Sequence, residues 1–227
     1  MPTRTILAVD AAGDTCSVAV GACGTDGLRV LAREKVDLKH GHAAVLVPMI
    51  ERTMAEAAID LAQLDAIAVG IGPGGFTGLR IALSTARGLG LALARPVIGI
   101  SNFQAAAFHL PPEKRANAAG DILVLIDSRR DEPYLARLDG ALRFRQAPRF
   151  MTLGEIATDL ADAPPAIVTG DGTALWRVSF PGGTEIAPAA ADAEAILNLA
   201  ADPLQRYAMK AVPLYLRAAD VSQPKAG

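Results

Sequence analysis

The chain has 227 residues, 51% of them hydrophobic and 20% charged, an ordinary globular composition at a length that suits one large domain or two small lobes. A formal net charge of -2 and an aromatic content of 4% supply neither the basic stripe nor the stacking surfaces of a freestanding nucleic-acid binder. The N-terminus lacks a positively charged lead into an apolar signal core, and Arg, Asp or Gly interrupts every apolar stretch short of the roughly 20 residues that a membrane span needs, so a soluble cytoplasmic protein is expected.

Thr5-Ile6-Leu7-Ala8-Val9 is a continuous apolar run ending at Asp10, which suits a buried central strand. Ala11-Ala12-Gly13-Asp14 reads as a turn, Cys16-Ser17-Val18-Ala19-Val20 alternates as a second strand, and Leu28 to Asp37 makes a third, giving an antiparallel meander. One strand carrying both Cys16 and Cys23 points them to opposite faces, so they read as small buried residues rather than a disulfide or a zinc site. From His42 the period changes: Leu46, Ile50, Thr53 and Ala57 share one face of a helix, with Pro48 in an early turn or at a kink. Ala66 to Ile71 returns to strand, a glycine-rich turn follows, and a long helix runs from Thr77 to about Ala94, with Thr77 as N-cap. Pro96 to Ile100 is another strand, and Ser101 with Gln104 forms a capping box for the next helix.

A second half begins after a linker, Pro111-Pro112-Glu113-Lys114-Arg115. Ile122 to Asp127 repeats the apolar-run-plus-Asp form of Ile6 to Asp10, and Tyr134 to Leu138 follows it as Cys16 to Val20 follows the first, which suggests an internal duplication. Thr152 and Glu155 make a capping box, Ala166 to Thr169 is a strand ending in Gly170-Asp171-Gly172, and a small polar tail from Ala218 is expected to fray.

Gly72-Pro73-Gly74-Gly75-Phe76-Thr77-Gly78 joins strand to helix, the place where bare amides can cradle phosphate. A phosphate loop needs a lysine before the hydroxyl residue, and Phe76 stands there, so a tight connection is the simpler reading. Gly78, Ala82, Ala86, Gly90 and Ala94 recur every fourth residue along the helix, a ridge with almost no side chain that lets another helix approach closely, from this chain or another. Asp10 and Asp127 each end a strand, where capping a turn is the common role. His40 and His42 are two apart, not the four that a helical metal pair needs, and no Gly-x-Ser-x-Gly elbow is present. No catalytic, cofactor-binding or metal-binding residue is assigned.

Taken in order, Ile6-Leu7-Ala8-Val9-Asp10, Leu46-Val47-Pro48-Met49-Ile50, Gly72 to Ile81, Ala86-Arg87-Gly88-Leu89, Gly99-Ile100-Ser101, Asp127-Ser128-Arg129-Arg130 and Pro213-Leu214-Tyr215-Leu216-Arg217 resemble the bacterial TsaB family, also called YeaZ. The resemblance spans nearly the whole chain and is most specific at Gly72 to Arg80. It implies an α/β protein of two-lobed actin-like (ASKHA) fold, each lobe a mixed sheet flanked by helices, with lobes 1–110 and 111–227. It implies a non-catalytic accessory subunit in the synthesis of threonylcarbamoyladenosine on tRNA, paired with a TsaD-like catalytic subunit and a TsaE-like ATPase. A homodimer is expected when the chain is alone, and tRNA is met only through the complex. The family's pairing helices correspond to the stretches around His42–Ala57 and Thr77–Ala94, giving Leu46, Met49, Ile50, Thr53, Gly78, Ala82, Ala86 and Gly90 as partner-binding residues. Ala11 stands where the family commonly has a hydroxyl residue, Gly75 where it has Ser, and Asp131 where it has Gly before Glu, departures that weaken nucleotide binding. An actin-like ATPase or sugar kinase is the alternative, resting on Asp10, Asp127 and a Gly170-Asp171-Gly172 turn similar to an adenosine-contacting loop; a metallopeptidase is a more distant one.

Overall fold

A computed structural model describes residues 3–118, 121–161, 164–174 and 184–217, so the tail expected to fray from Ala218 lies outside the described residues. The first sheet opens as the alternation predicts, with β1 (Arg4–Asp10), β2 (Thr15–Gly24) and β3 (Gly27–Asp37) paired antiparallel as a meander. After α1 (His42–Glu56) come β4 (Ala66–Gly70), α2 (Phe76–Leu93) and β5 (Val97–Ile100), and both strands join the sheet parallel to β1. α3 (Asn102–Phe108) and α4 (Pro112–Asn117) lead to the second sheet, made of β6 (Ile122–Ile126), β7 (Tyr134–Leu138), β8 (Arg149–Phe150), β9 (Ile167–Thr169) and β10 (Glu185–Ala187), with α5 (Leu153–Asp159) between β8 and β9. The chain then returns: α6 (Ala193–Ala200) packs on β1, β2 and β4, and β11 (Met209–Lys210) pairs with β5.

The duplicated unit is visible in the topology. β1 pairs antiparallel with the next strand and parallel with β4, and β6 pairs antiparallel with β7 and parallel with β9. Alternation along β1 explains the layering. Leu7 and Val9 face α1 and α2 on the outside, while Ile6 and Ala8 face an inner core shared with α3, α6 and the inner side of the second sheet. Leu123, Leu125 and Val168 on the far side of that sheet pack against Ile156 of α5. The order of layers is therefore α1/α2, first sheet, α6/α3, second sheet, α5, which is the two-lobed arrangement expected.

Three local expectations fail. Gly75, not Thr77, is the N-cap of α2, and no side chain caps it. Ser101 does start α3, but without the box: Gln104 donates instead to the Leu142 carbonyl at 2.9 Å, and the Ser101 hydroxyl is buried without a partner. The Pro111–Arg115 linker is mostly the short helix α4, begun by Pro112 at a position where its missing N–H costs nothing. The box at Thr152 and Glu155 forms as read, at 3.3 Å and 2.8 Å.

Candidate functional site

α1 and α2 lie side by side on the outer face of the first sheet. All eight residues assigned to partner binding turn out to sit on the buried sides of these helices: Leu46, Met49, Ile50, Thr53, Gly78, Ala82, Ala86 and Gly90. The ridge of small residues finds its close neighbour within the chain. A Cβ at Gly78 would overlap the Ala11 carbonyl, and one at Gly90 would overlap Val97. These residues set how deeply the two helices seat on their own sheet.

The face left open belongs to the same helices. On α1, Ala44, Val47, Pro48 and Glu51 are exposed, and on α2, Ser84, Gly88, Leu91 and Ala92. Val47 is 49% exposed and Leu91 86%, large apolar side chains left to solvent on helices otherwise anchored by apolar contacts. Gly88 is mid-helix, where glycine costs about 1 kcal/mol relative to alanine, yet a Cβ there would meet nothing within 4 Å. Nothing among the described residues requires that bare spot. Pro48 has no N–H, so the Ala44 carbonyl loses its helical donor on this exposed side.

The Gly72–Gly78 turn is a backbone-to-backbone contact. The Gly75 amide donates to the Ala12 carbonyl at 2.6 Å, and a Cβ at Gly74 would run into that same carbonyl. One of the amides that a phosphate would need is thus already used. Gly72 has φ 94°, a left-handed value that glycine adopts freely, and its amide donates to Asn102 Oδ1 at 2.7 Å.

Asn102 ties this turn to the cleft between the sheets, because its Nδ2 donates to Asp10 Oδ1 at 3.0 Å. The cleft is about 160 Å³ and is lined by Asp10, Asp14, Asp127, Asp171 and Arg129 among others. Arg129, at φ 63°, crosses it to pair with Asp14. Asp127 accepts from the Arg129 amide at 2.7 Å, the turn-capping role expected, and its own amide donates to Asp171 at 2.9 Å. Burial pushes Asp10 up to about 7 and Asp171 up to about 6, against the hydrogen bonds each accepts. Four carboxylates and one committed guanidinium make a poor anion cradle, and the volume falls below the ~300–1,000 Å³ of usual small-molecule sites. Asn102 was not singled out by sequence reading, since it acts through a partner 92 residues away in the chain, while Arg129 and Asp171 entered only as members of the Asp127–Arg130 and Gly170–Gly172 motifs. The two cysteines are free, and their strand turns them toward different cores. His109 is held by Asp192 at 3.2 Å. Among the described residues no group of three His, Cys, Asp or Glu is placed to hold a metal, and no helix is long and apolar enough to cross a membrane.

Comparison with known proteins agrees with this architecture. The model of the family "TsaD: tRNA N6-adenosine threonylcarbamoyltransferase" matches residues 36–191. A protein of Mycobacterium tuberculosis is 33% identical over 219 residues, covering 95% of this chain and 93% of that one. The tRNA threonylcarbamoyladenosine biosynthesis protein TsaB of Escherichia coli is 35% identical over 133 residues, 58% of this chain and 53% of its own length. The solved structure of YeaZ from Pseudomonas aeruginosa superposes with a TM-score of 0.75 at 29% identity, covering 94% of this chain and all of that one. Together with the Gly72–Arg80 turn and the paired sheets, these matches show that the chain belongs to the TsaB (YeaZ) family.

Proposed function

We propose that the protein is a non-catalytic accessory subunit in the synthesis of threonylcarbamoyladenosine on tRNA. It docks onto a TsaD-like catalytic subunit through the outer face of α1 and α2. The observation that carries this reading is the exposed face itself, which holds Val47, Leu91 and a mid-helix glycine that no contact among the described residues requires to lack a Cβ. Such a face accepts a partner helix at close range and leaves two apolar side chains to be covered. The eight buried residues act by holding the two helices at a fixed spacing. The same face serves a homodimer when the partner is absent, while a TsaE-like ATPase joins the assembled pair and tRNA is met through it. Division of the chain into lobes 1–110 and 111–227 belongs to this reading, with α6 and β11 reaching back to the first lobe.

Co-purification of the intact chain with the TsaD-like subunit of the same organism tests the assignment. Gly88→Trp and Leu91→Glu, both at exposed positions, are expected to fold normally and to weaken pairing by about tenfold or more. Undiminished pairing in both variants overturns the docking face. The ATPase or kinase alternative predicts tight stoichiometric binding of magnesium ATP in calorimetry. The small acidic cleft argues for no such binding.

A further inference from the structure

A second cavity lies away from both the cleft and the α1–α2 face. It is an open pocket of about 430 Å³, bordered by the β2–β3 turn, the end of α3, α4, the end of α6 and the segment that follows it. Leu28, Phe108, Leu142 and Leu199 give it apolar walls, and Arg115 and Tyr207 line it with them. The volume is within the range of small-molecule pockets.

Arg115 is the unusual member. Its Nε is buried and makes no hydrogen bond, and its guanidinium carbon lies 5.5 Å from the Phe108 ring centre. No carboxylate pairs with it among the described residues, whereas Arg33, Arg52, Arg129, Arg143 and Arg206 each have one. Desolvation lowers its pKa, against an opposing contribution from Tyr207. Its position is fixed: the amide donates to Pro111 at 3.0 Å, and Gly140 lacks a side chain where one would strike the Arg115 carbonyl. A half-buried, unpaired guanidinium held in place by backbone packing carries an unfavourable desolvation term that a bound anion would offset.

The remaining charges select the anion. Arg206 also lines the cavity, but Asp202 takes it at 2.6 Å and accepts its backbone amide at 2.8 Å. That pair leaves one net positive charge in the wall, which suits a monoanion and disfavours a dianion such as a phosphate monoester. We propose that this pocket binds an apolar monocarboxylate, its carboxylate on the Arg115 guanidinium and its hydrocarbon or aryl body against Leu28, Phe108, Leu142 and Leu199. A planar fork is the donor geometry that a carboxylate matches.

Calorimetric titration of the full chain with 3-phenylpropionate tests this, with 3-phenylpropan-1-ol and inorganic phosphate as comparators. Expected are saturable one-to-one binding of the carboxylate below about 1 mM and at least tenfold weaker binding of the alcohol and of phosphate. Arg115→Met should lose at least tenfold in carboxylate affinity. Without probe, the same variant should melt at the parent's temperature or above, because it removes an unpaired half-buried charge and keeps the apolar stem. No saturable binding, equal binding of the alcohol, unchanged affinity in Arg115→Met, or a lowered melting temperature of that variant would each overturn the proposal.

Discussion

Asp10 shows how much a single carboxyl can contribute when its partners come from distant parts of the chain. It ends β1, is 1% exposed, and receives Asn102 from α3 and, at 3.4 Å, the Ala12 amide. Burial raises its folded-state pKa to about 7 from an ordinary 3.8. Between those values the folded chain holds a proton that the unfolded chain has released, so stability falls as pH rises from about 4 to 7 and levels off above. Asp10→Asn removes that loss and should be more stable than the parent at pH 8 by about 2–4 kcal/mol, with little difference at pH 4, as urea unfolding at the two values would measure. Asp171, raised to about 6, runs in the same direction and leaves a smaller slope in the variant. The strand-ending position of Asp10 was legible from the apolar run before it. Its network was not, because Asn102 lies 92 residues on and reads locally as the start of a helix.

Elements differ in how far their own residues determine them. Thr152 is half-buried and Glu155 exposed, so local chemistry decides and the capping box forms as read. Ser101 and Gln104 are buried, and there the Leu142 carbonyl outcompetes the box. α1 and α2 were legible because one face of each is apolar and the other is not. Which neighbour takes the apolar face is not a periodic property, so a ridge that suits a partner could equally suit the chain's own sheet. α6 escaped notice for a different reason: it is short and mostly buried, and Glu194 and Asn198 alone mark its polar side. Asp192 starts that helix. It accepts from the Ala195 amide at 3.0 Å and pairs with Lys35 of β3 at 3.3 Å and with His109 at the end of α3 at 3.2 Å. Burial alone would raise its pKa, but these partners bring it down to about 2. Asp192→Ala should therefore cost about 2 kcal/mol, read as a lower urea midpoint. The loss should shrink as pH falls from about 4 to about 2, where the parent's unfolded chain takes up a proton that its folded carboxyl still refuses.

At the scale of the whole molecule, the inner core decides what can fold alone. Ile6, Ala8, Ala66, Ala68 and Ile100 of the first sheet share it with Ile196 and Leu197 of α6 and with Ile122 and Val124 of the second sheet. A fragment ending at residue 110 keeps the strands β1 to β5 and the short α3 but loses α6 and the second sheet from their inner face. It should show no cooperative thermal transition by circular dichroism, whereas the full chain should melt in a single step. A sharp transition in the fragment would refute that reading of the core. The alternation of strands and helices made the two sheets legible, but the return of the chain from the second sheet to the first left no mark in the local pattern.

One edge of the first sheet is β3, eleven residues long and, among the described residues, without a strand on its free side. It carries Arg29, Arg33 and Lys35 exposed, and the register of its partner slips at Val20/Gly21, where a bulge interrupts the ladder. Charge and bulge are the two devices that stop one sheet from growing onto another. Amyloid-like stacking and strand exchange between copies are thereby discouraged along this edge.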